Sequence, residues 1–167
     1  MDLRDSLFDA VVKGDETAVL YILNIGGNLA INDSKGFTAL HWAASNKFSE
    51  KLVPMLIAKK ANVNAIDNNG QTPLHVHCAR GCAYGVACLL YHGANPNCRT
   101  TDHNISPLDI AEAHRQDEII KLLLTYGAVP SGLSGSPKPS TNRLSISIVR
   151  SGSESTPLSA GIAKEKG

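Results

Sequence analysis

Thr38-Ala39-Leu40-His41, Thr72-Pro73-Leu74-His75 and Ser106-Pro107-Leu108-Asp109 follow one another at a constant offset of 34 residues. Three matching strings at one spacing mark an array of repeats. Each string opens with Thr or Ser, side chains suited to accept from the free N–H groups of a first helical turn. Two continue with Pro, whose missing N–H costs nothing at the first helical position. Downstream of each string come a small-residue helix, a second apolar helix, and Gly-Ala or Lys-Ala before an Asn-rich loop such as Gly93-Ala94-Asn95-Pro96-Asn97. Upstream, two residues ahead of the strings, stand Gly36, Gly70 and Asn104. A hairpin there must turn with positive φ, and Asn is the residue with a side chain that tolerates this best.

This order of elements resembles the ankyrin repeat, a turn plus two antiparallel helices with a period of about 33 residues. The resemblance implies an all-α ankyrin-repeat solenoid with hairpin fingers over residues 1–130, divided near 3–33, 34–66, 67–100 and 101–130. The first repeat lacks the string, but Leu3, Leu7, Phe8, Val11 and Val12 alternate with Asp2, Arg4, Asp5, Asp9 and Lys13 to give one dry and one wet face. Gly14 should end that helix and Asp15 should cap the next. Departures from the family pattern are visible, the first an extra residue around Asn46 to Lys51. Pro54 falls inside the second helix of the second repeat and predicts an irregular helix there. Arg99-Thr100-Thr101-Asp102-His103 holds an extra residue and predicts a longer, more mobile finger. Gly85 should weaken the start of its helix by about 1 kcal/mol. In the last repeat, Ile119-Ile120-Lys121-Leu122-Leu123-Leu124 reads as an interior helix with partners on both sides, although a terminal repeat ordinarily needs a polar outer face.

The composition bounds the function. Formal net charge is +1 over 167 residues, which gives no long-range field for nucleic acid. Nothing approaches the ~20 apolar residues that would span a bilayer, and the acidic and apolar N-terminus does not read as a secretory signal. All four cysteines lie between Cys78 and Cys98, a placement that fits a reducing compartment rather than a disulfide framework. The expectation is a cytoplasmic or nuclear protein, or one found in both. Residues 131–167 contain ten Ser, three Pro and no aromatic residue, and such a segment cannot bury enough apolar surface to offset ordering. It reads as a disordered tail, with Leu144-Ser145-Ile146-Ser147-Ile148 as its one strand-like stretch.

Chemistry-bearing groups concentrate in the third repeat: His75, His77, Cys78, Cys82, Cys88 and His92. Cys78 and Cys82 share one helical face, Cys88 and His92 another, so antiparallel helices could assemble a zinc or redox site. The competing reading takes Cys78 and Cys88 as small core residues and His75 as the hydrogen-bonding His of the string. Close-spaced ligand pairs are missing, so no metal and no cofactor is expected. His77 stands where the family places Ala and is expected to rotate outward, with slight separation of the helices, a strained or ligand-contacting group being the alternative. The chain has no G-x-S-x-G, P-loop or H-E-x-x-H string, and no catalytic residue is assigned. The resemblance also marks Asn64 and Asn97 as positions where some family members carry a hydroxylated Asn.

What remains is a surface. In the family, finger tips and exposed first helices form a concave protein-binding groove. The register maps it here to Ser34, Lys35, Phe37, Trp42, Ser45 and Asn46 in the second repeat. In the third it gives Asn68, Asn69, Gln71, Val76, Ala79 and Arg80, and in the fourth His103, Ile105, Ile110 and His114. Phe37 should point out from its finger with Trp42 one helical turn along and Arg80 nearby, the composition of an interface hot spot. Trp42, Val76 and Ile110 have the alternative of packing against neighbouring fingers. The sequence thus predicts a non-catalytic adaptor or inhibitor that binds a protein partner, with no nucleic acid and no membrane insertion. A monomer is expected, with association through the last repeat as the alternative. A regulatory subunit docking through its last helix and tail is the second reading, and a zinc- or redox-responsive protein the third.

Overall fold

Each recurring string begins a helix at its second residue, because its first residue caps it. The structure, a computed structural model, describes residues 3–44 and 47–131. Among these residues all helices belong to a series of hairpins: α1 (Leu3–Lys13) with α2 (Glu16–Asn24), α3 (Ala39–Trp42) with α4 (Lys47–Glu50) and α5 (Val53–Ala58), α6 (Pro73–Arg80) with α7 (Ala83–Tyr91), and α8 (Pro107–Ala113) with α9 (Asp117–Thr125). Thr38, Thr72 and Ser106 are the N-caps of α3, α6 and α8, and Pro73 and Pro107 occupy the first helical position. Asp15 caps α2 by accepting the Ala18 N–H at 2.9 Å. Leu7, Leu40, Leu74 and Leu108, one per first helix, are fully buried. They form the spine of a core that runs through all four hairpins.

The fingers close in the same way each time. Asp33 N–H donates to Phe37 O, Asp67 N–H to Gln71 O and Thr100 N–H to Ile105 O, at 2.9 to 3.0 Å. The last loop encloses one residue more, so the longer finger is present as the spacing indicated. Gly36, Gly70 and Asn104 have φ of 85°, 73° and 54°. Glycine is needed at the first two for a second reason. A Cβ on Gly36 would stand 2.7 Å from Asn68 N, and one on Gly70 2.8 Å from Thr101 N, because adjacent fingers bond there: Asn68 N–H donates to Lys35 O at 3.0 Å and Thr101 N–H to Asn69 O at 2.9 Å.

Pro54 is accommodated by a late start. The helix that would have enclosed it is divided into α4 and α5, and Pro54 lies in the first turn of α5, where no intrahelical N–H bond is lost. The last helix corrects an expectation. In α9 Ile119 and Leu123 are buried and Ile120 and Leu122 half-buried, while Glu118, Lys121, Leu124 and Thr125 are exposed. It is therefore one-sided, not an interior helix. Glu112 of α8 takes the register position filled by Ala44 and Cys78 in the preceding repeats, which makes the outer side of the last hairpin polar.

His77 is the other correction. Its imidazole is fully buried and turns inward instead of outward, with Nδ1–H donating to Pro73 O at 2.8 Å. Gly85 makes the room: a Cβ there would lie 2.7 Å from His77 Nε2 and closer still to Cδ2. The bonds Ala61 N–H to Leu56 O, Ala94 N–H to Leu89 O and Ala128 N–H to Leu123 O set a register in which Leu52, Gly85 and Ile119 are equivalent. Opposite them stand Ala43, His77 and Ala111. The second and fourth repeats thus pair a small residue on the first helix with a large one on the second, and the third exchanges the two. Close packing makes such an exchange possible only as a pair. Gly85→Leu alone is expected to cost about 3 kcal/mol or more, whereas His77→Ala with Gly85→Leu, which recreates the Ala43 and Leu52 arrangement, should return stability to within about 1 kcal/mol of the parent. Urea unfolding of the two single variants and the double variant measures this.

Candidate functional site

The finger tips and first helices carry the candidate surface. Ser34, Lys35, Asn68, Asn69, Ala79, Arg80, His103, Ile105 and His114 are exposed, and Phe37, Trp42, Gln71, Val76 and Ile110 are half-buried. Ser45 and Asn46 lie outside the described residues, as do residues 132–167 with the strand-like stretch at Leu144. Two of the candidates serve the scaffold: the Asn68 side chain donates to Ser34 O at 3.0 Å, and Asn69 O takes the bond from Thr101 already described. His103 is paired with Asp102 at 2.8 Å.

Phe37 and Trp42 come together. Their ring centroids are 5.9 Å apart in an edge-to-face arrangement, a geometry favoured by the ring quadrupoles. Phe37 does not stand free of its finger, since it also stacks on the His41 ring at 5.1 Å. Trp42 is fixed at its polar end by Nε1–H donating to Asp33 Oδ2 at 3.2 Å, while Asp33 Oδ1 accepts the Lys35 and Phe37 N–H groups at 2.8 and 2.9 Å. Asp67 repeats the finger bonds, with Oδ1 accepting from Asn69 and Gln71 at 2.9 and 2.7 Å. Val76 stands in the register position of Trp42, however, and Asp67 Oδ2 is buried with no hydrogen-bond partner among the described residues.

Beneath this surface, imidazoles connect one repeat to the next. His41 Nδ1 accepts the Thr38 N–H at 3.1 Å and its Nε2 meets Gln71 O at 3.2 Å. His75 does the same with Thr72 N–H and Ile105 O, both at 3.1 Å. A ring nitrogen that accepts an amide leaves the proton on the other nitrogen, so both rings are neutral and donate through Nε2. Burial lowers the pKa of both, more than the bonds to Gln71 and Ile105 raise it. In the last string Asp109 replaces His. It accepts from Ser106 N–H and Oγ, both at 2.8 Å, and from the Ser131 hydroxyl, with Arg99 at 3.6 Å. Burial opposes its charge, but the Ser131 and Ser106 bonds, with Arg99 beside it, hold its carboxyl below the usual range.

Asn64 and Asn97 have structural roles that the sequence did not reveal. Asn64 donates to Gly93 O at 3.1 Å and accepts Asn95 N–H at 2.8 Å, and Asn97 donates to Gly127 O at 2.9 Å and accepts Val129 N–H at 2.8 Å. Each ties its loop to the next one.

The cysteine and histidine cluster disperses. Cys78 and Cys82 are buried, with Cys82 Sγ–H directed at Ala44 O at 3.7 Å. His92 is exposed with its ring edge-on to Tyr91. Burial pushes the Cys78 thiol up to about 12 and Cys82 up to about 11, opposite to what a thiolate ligand or nucleophile needs. Among the described residues no group of three or more His, Cys, Asp and Glu is placed to hold a metal ion. A pocket of about 400 Å³ is lined by Leu23, Asn24, Gly27, Asn28, Leu29, Ala30, Lys59 and Lys60, without a thiol, imidazole or carboxylate. Among the described residues no helix is long and apolar enough to cross a membrane.

Comparison with known proteins agrees with this architecture. A family model described as ankyrin repeats, in three copies, matches residues 7–100 and again 49–131. BCL-6 corepressor-like protein 1 of Homo sapiens is 38% identical over 103 residues, covering 62% of this chain and 6% of that protein. The BTB/POZ domain and ankyrin repeat-containing protein NPR5 of Oryza sativa subsp. japonica is 34% identical over 141 residues, covering 84% of this chain and 26% of that protein. Ankyrin repeat and SOCS box protein 16 of Mus musculus is 33% identical over 135 residues, covering 72% of this chain and 30% of that protein. The chain therefore spans less than a third of the length of each of these relatives.

His77 adds to the electrostatic consequence of the buried rings. Burial lowers its pKa from 6.5 to about 4, against the opposing bond to Pro73, and its Nε2 has no partner among the described residues. Below pH 6.5 the unfolded chain takes up a proton that the folded ring refuses, so stability is full above 6.5 and falls as pH drops toward about 4. His41 and His75 act in the same direction. Urea midpoints are expected to decline through this window, and the decline should be shallower in the variant that carries His77→Ala with Gly85→Leu.

Proposed function

The chain belongs to the ankyrin repeat family, and on that premise we propose that residues 1–130 form a four-repeat, non-catalytic module that binds a protein partner through its fingers and first helices. The partition near 3–33, 34–66, 67–100 and 101–130 belongs to the same proposal. The observation that carries it is the Phe37 and Trp42 edge-to-face pair, half-buried and set beside the exposed finger tips. Large rigid aromatics with a fixed orientation supply contact area at low entropic cost. Trp42 is oriented by Asp33, so little ordering remains for a partner to impose. Val76, Ile105 and Ile110 extend the apolar part of the surface, and Ser34, Lys35, Asn68, Asn69, Gln71, Ala79, Arg80, His103 and His114 form its polar surround. Ser45 and Asn46 complete it by register.

A non-catalytic role is supported by the buried thiols of Cys78 and Cys82, whose pKa values burial raises, and by the imidazoles of His41 and His75, engaged in bonds between repeats. The family fold is a carrier of binding surfaces rather than of one reaction. Adaptor or inhibitor describes the module best, acting as a monomer in the cytoplasm, the nucleus or both. The corepressor-like relative is consistent with a nuclear setting. Leu124, Tyr126 and Val129 are exposed on the last repeat at 46%, 43% and 46%, and they favour that repeat as the second place where a partner could dock.

Capture of the main partner tests the surface. Phe37→Ala with Trp42→Ala should weaken it by about thirtyfold or more, with helical circular dichroism unchanged. Retained capture would move the site to the last helix.

A further inference from the structure

The class of partner can be narrowed, and the narrowing rests on the reading just proposed. By register Trp42, Val76 and Ile110 form one row along the first helices, with Phe37 and Ile105 on the finger side. The two borders of this row differ. On the finger side the carboxylates are engaged or buried: Asp33 holds finger N–H groups, Asp67 does so through Oδ1 with its Oδ2 buried and unpartnered among the described residues, Asp109 is bonded to Ser106 and Ser131, and Asp102 is paired with His103.

On the opposite border three basic side chains stand exposed: Arg80 in the last turn of α6, and His114 and Arg115 at the end of α8. These helix ends are neighbours. A Cβ on Gly81, which follows Arg80, would lie 3.4 Å from the Gln116 side-chain amide nitrogen, which follows Arg115. The Arg80, His114 and Arg115 side chains make no hydrogen bond or ion pair among the described residues. Glu112, the exposed acid of α8, takes the register position that faces a following repeat, not the row of Trp42. In the first repeat the corresponding cation is already neutralised, since Lys13 is bonded to Asp9 at 2.5 Å. Of the exposed cations along the groove, Lys35 lies at a finger tip, and the two arginines without an ion pair, Arg80 and Arg115, stand on the helix-end border of the third and fourth repeats, where the exposed Asp117 and Glu118 begin α9 just after Arg115.

We infer that the groove takes an extended segment of a partner protein whose apolar side chains lie on the row from Trp42 to Ile110 and whose carboxylates follow the Arg80, His114 and Arg115 border. Apolar burial supplies the affinity, and the charges set orientation and choice of partner. A basic or uncharged segment of the same apolar pattern gains nothing at that border.

Fluorescence anisotropy with short labelled peptides tests this. One peptide alternates Leu with Glu, a second alternates Leu with Lys, and a third alternates Ser with Glu. The Leu and Glu peptide should bind most tightly and lose roughly fivefold in affinity when Arg80→Gln and Arg115→Gln are combined. It should lose a similar factor on raising salt to about 1 M, where charges are screened beyond about 3 Å. The salt arm uses the unaltered chain and stands even if the variant folds poorly. Equal binding of the Lys and Glu peptides, or binding of neither, would overturn the inference. If Phe37→Ala with Trp42→Ala still abolishes binding of both Leu peptides, the groove stands and the acidic preference alone has failed. If that double substitution changes no peptide's binding, the groove reading itself has failed.

Discussion

One imidazole per interior repeat holds the array in register. His41 and His75 each accept the cap amide of their own helix through Nδ1 and donate through Nε2 to the finger carbonyl of the next repeat, Gln71 or Ile105. A single neutral ring thereby joins helix start, finger and neighbour. Arg or Lys could not replace it, because neither has an acceptor. The bond has a direction, from one repeat toward the next, and the last string ends it. Asp109 keeps the cap but cannot donate, and it takes the Ser131 hydroxyl and Arg99 instead of a further finger.

Two smaller sets of bonds run parallel to the imidazoles. Finger amides bond across Gly36 and Gly70, and Asn64 and Asn97 join successive loops. The second repeat touches the third, and the third the fourth, at three levels, so equivalent residues fall in rows, as expected of a quasi-one-dimensional fold. The row from Trp42 through Val76 to Ile110 is a consequence of that order and not of any local preference. What changes along the rows is side-chain chemistry, where recognition resides: indole to Val in one row, Lys13 bonded to Asp9 against Arg80 unbonded in another.

Much of this is visible in the chain itself because the determinants are local. The 34-residue offset, the Thr or Ser caps, the Pro at the first helical position and the paired Gly36 and Gly70 all act within a few residues, and each appears where the spacing placed it. Pro54 signalled an irregular helix for the same reason. The misreadings concern partners distant in sequence or beyond the local pattern. His77 looked too large for its place because its compensation, Gly85, lies on the facing helix; the unusual Gly was noticed, but only as a helix-weakening residue. The run from Ile119 to Leu124 suggested an interior helix from composition, yet one hairpin offers only one side to pack on. Cys78 and Cys82 do not share a helical face after all, since α6 ends at Arg80 and Cys82 is the N-cap of α7. Asp67 Oδ2 meets no indole, because Val76 stands at the register position that Trp42 fills beside Asp33. Of the candidate surface, register could place the residues, while the Phe37 stack on His41 and the bond from Trp42 to Asp33 required coordinates.

The most direct measurement of the central interaction is the protonation of the three buried rings by nitrogen-resolved nuclear magnetic resonance at neutral pH. The account predicts neutral imidazoles throughout, with the proton on Nε2 in His41 and His75 and on Nδ1 in His77, and a through-bond coupling from the His41 and His75 Nε2–H to the Gln71 and Ile105 carbonyls. Charged rings, or the Nδ1–H form in His41 and His75, would contradict it.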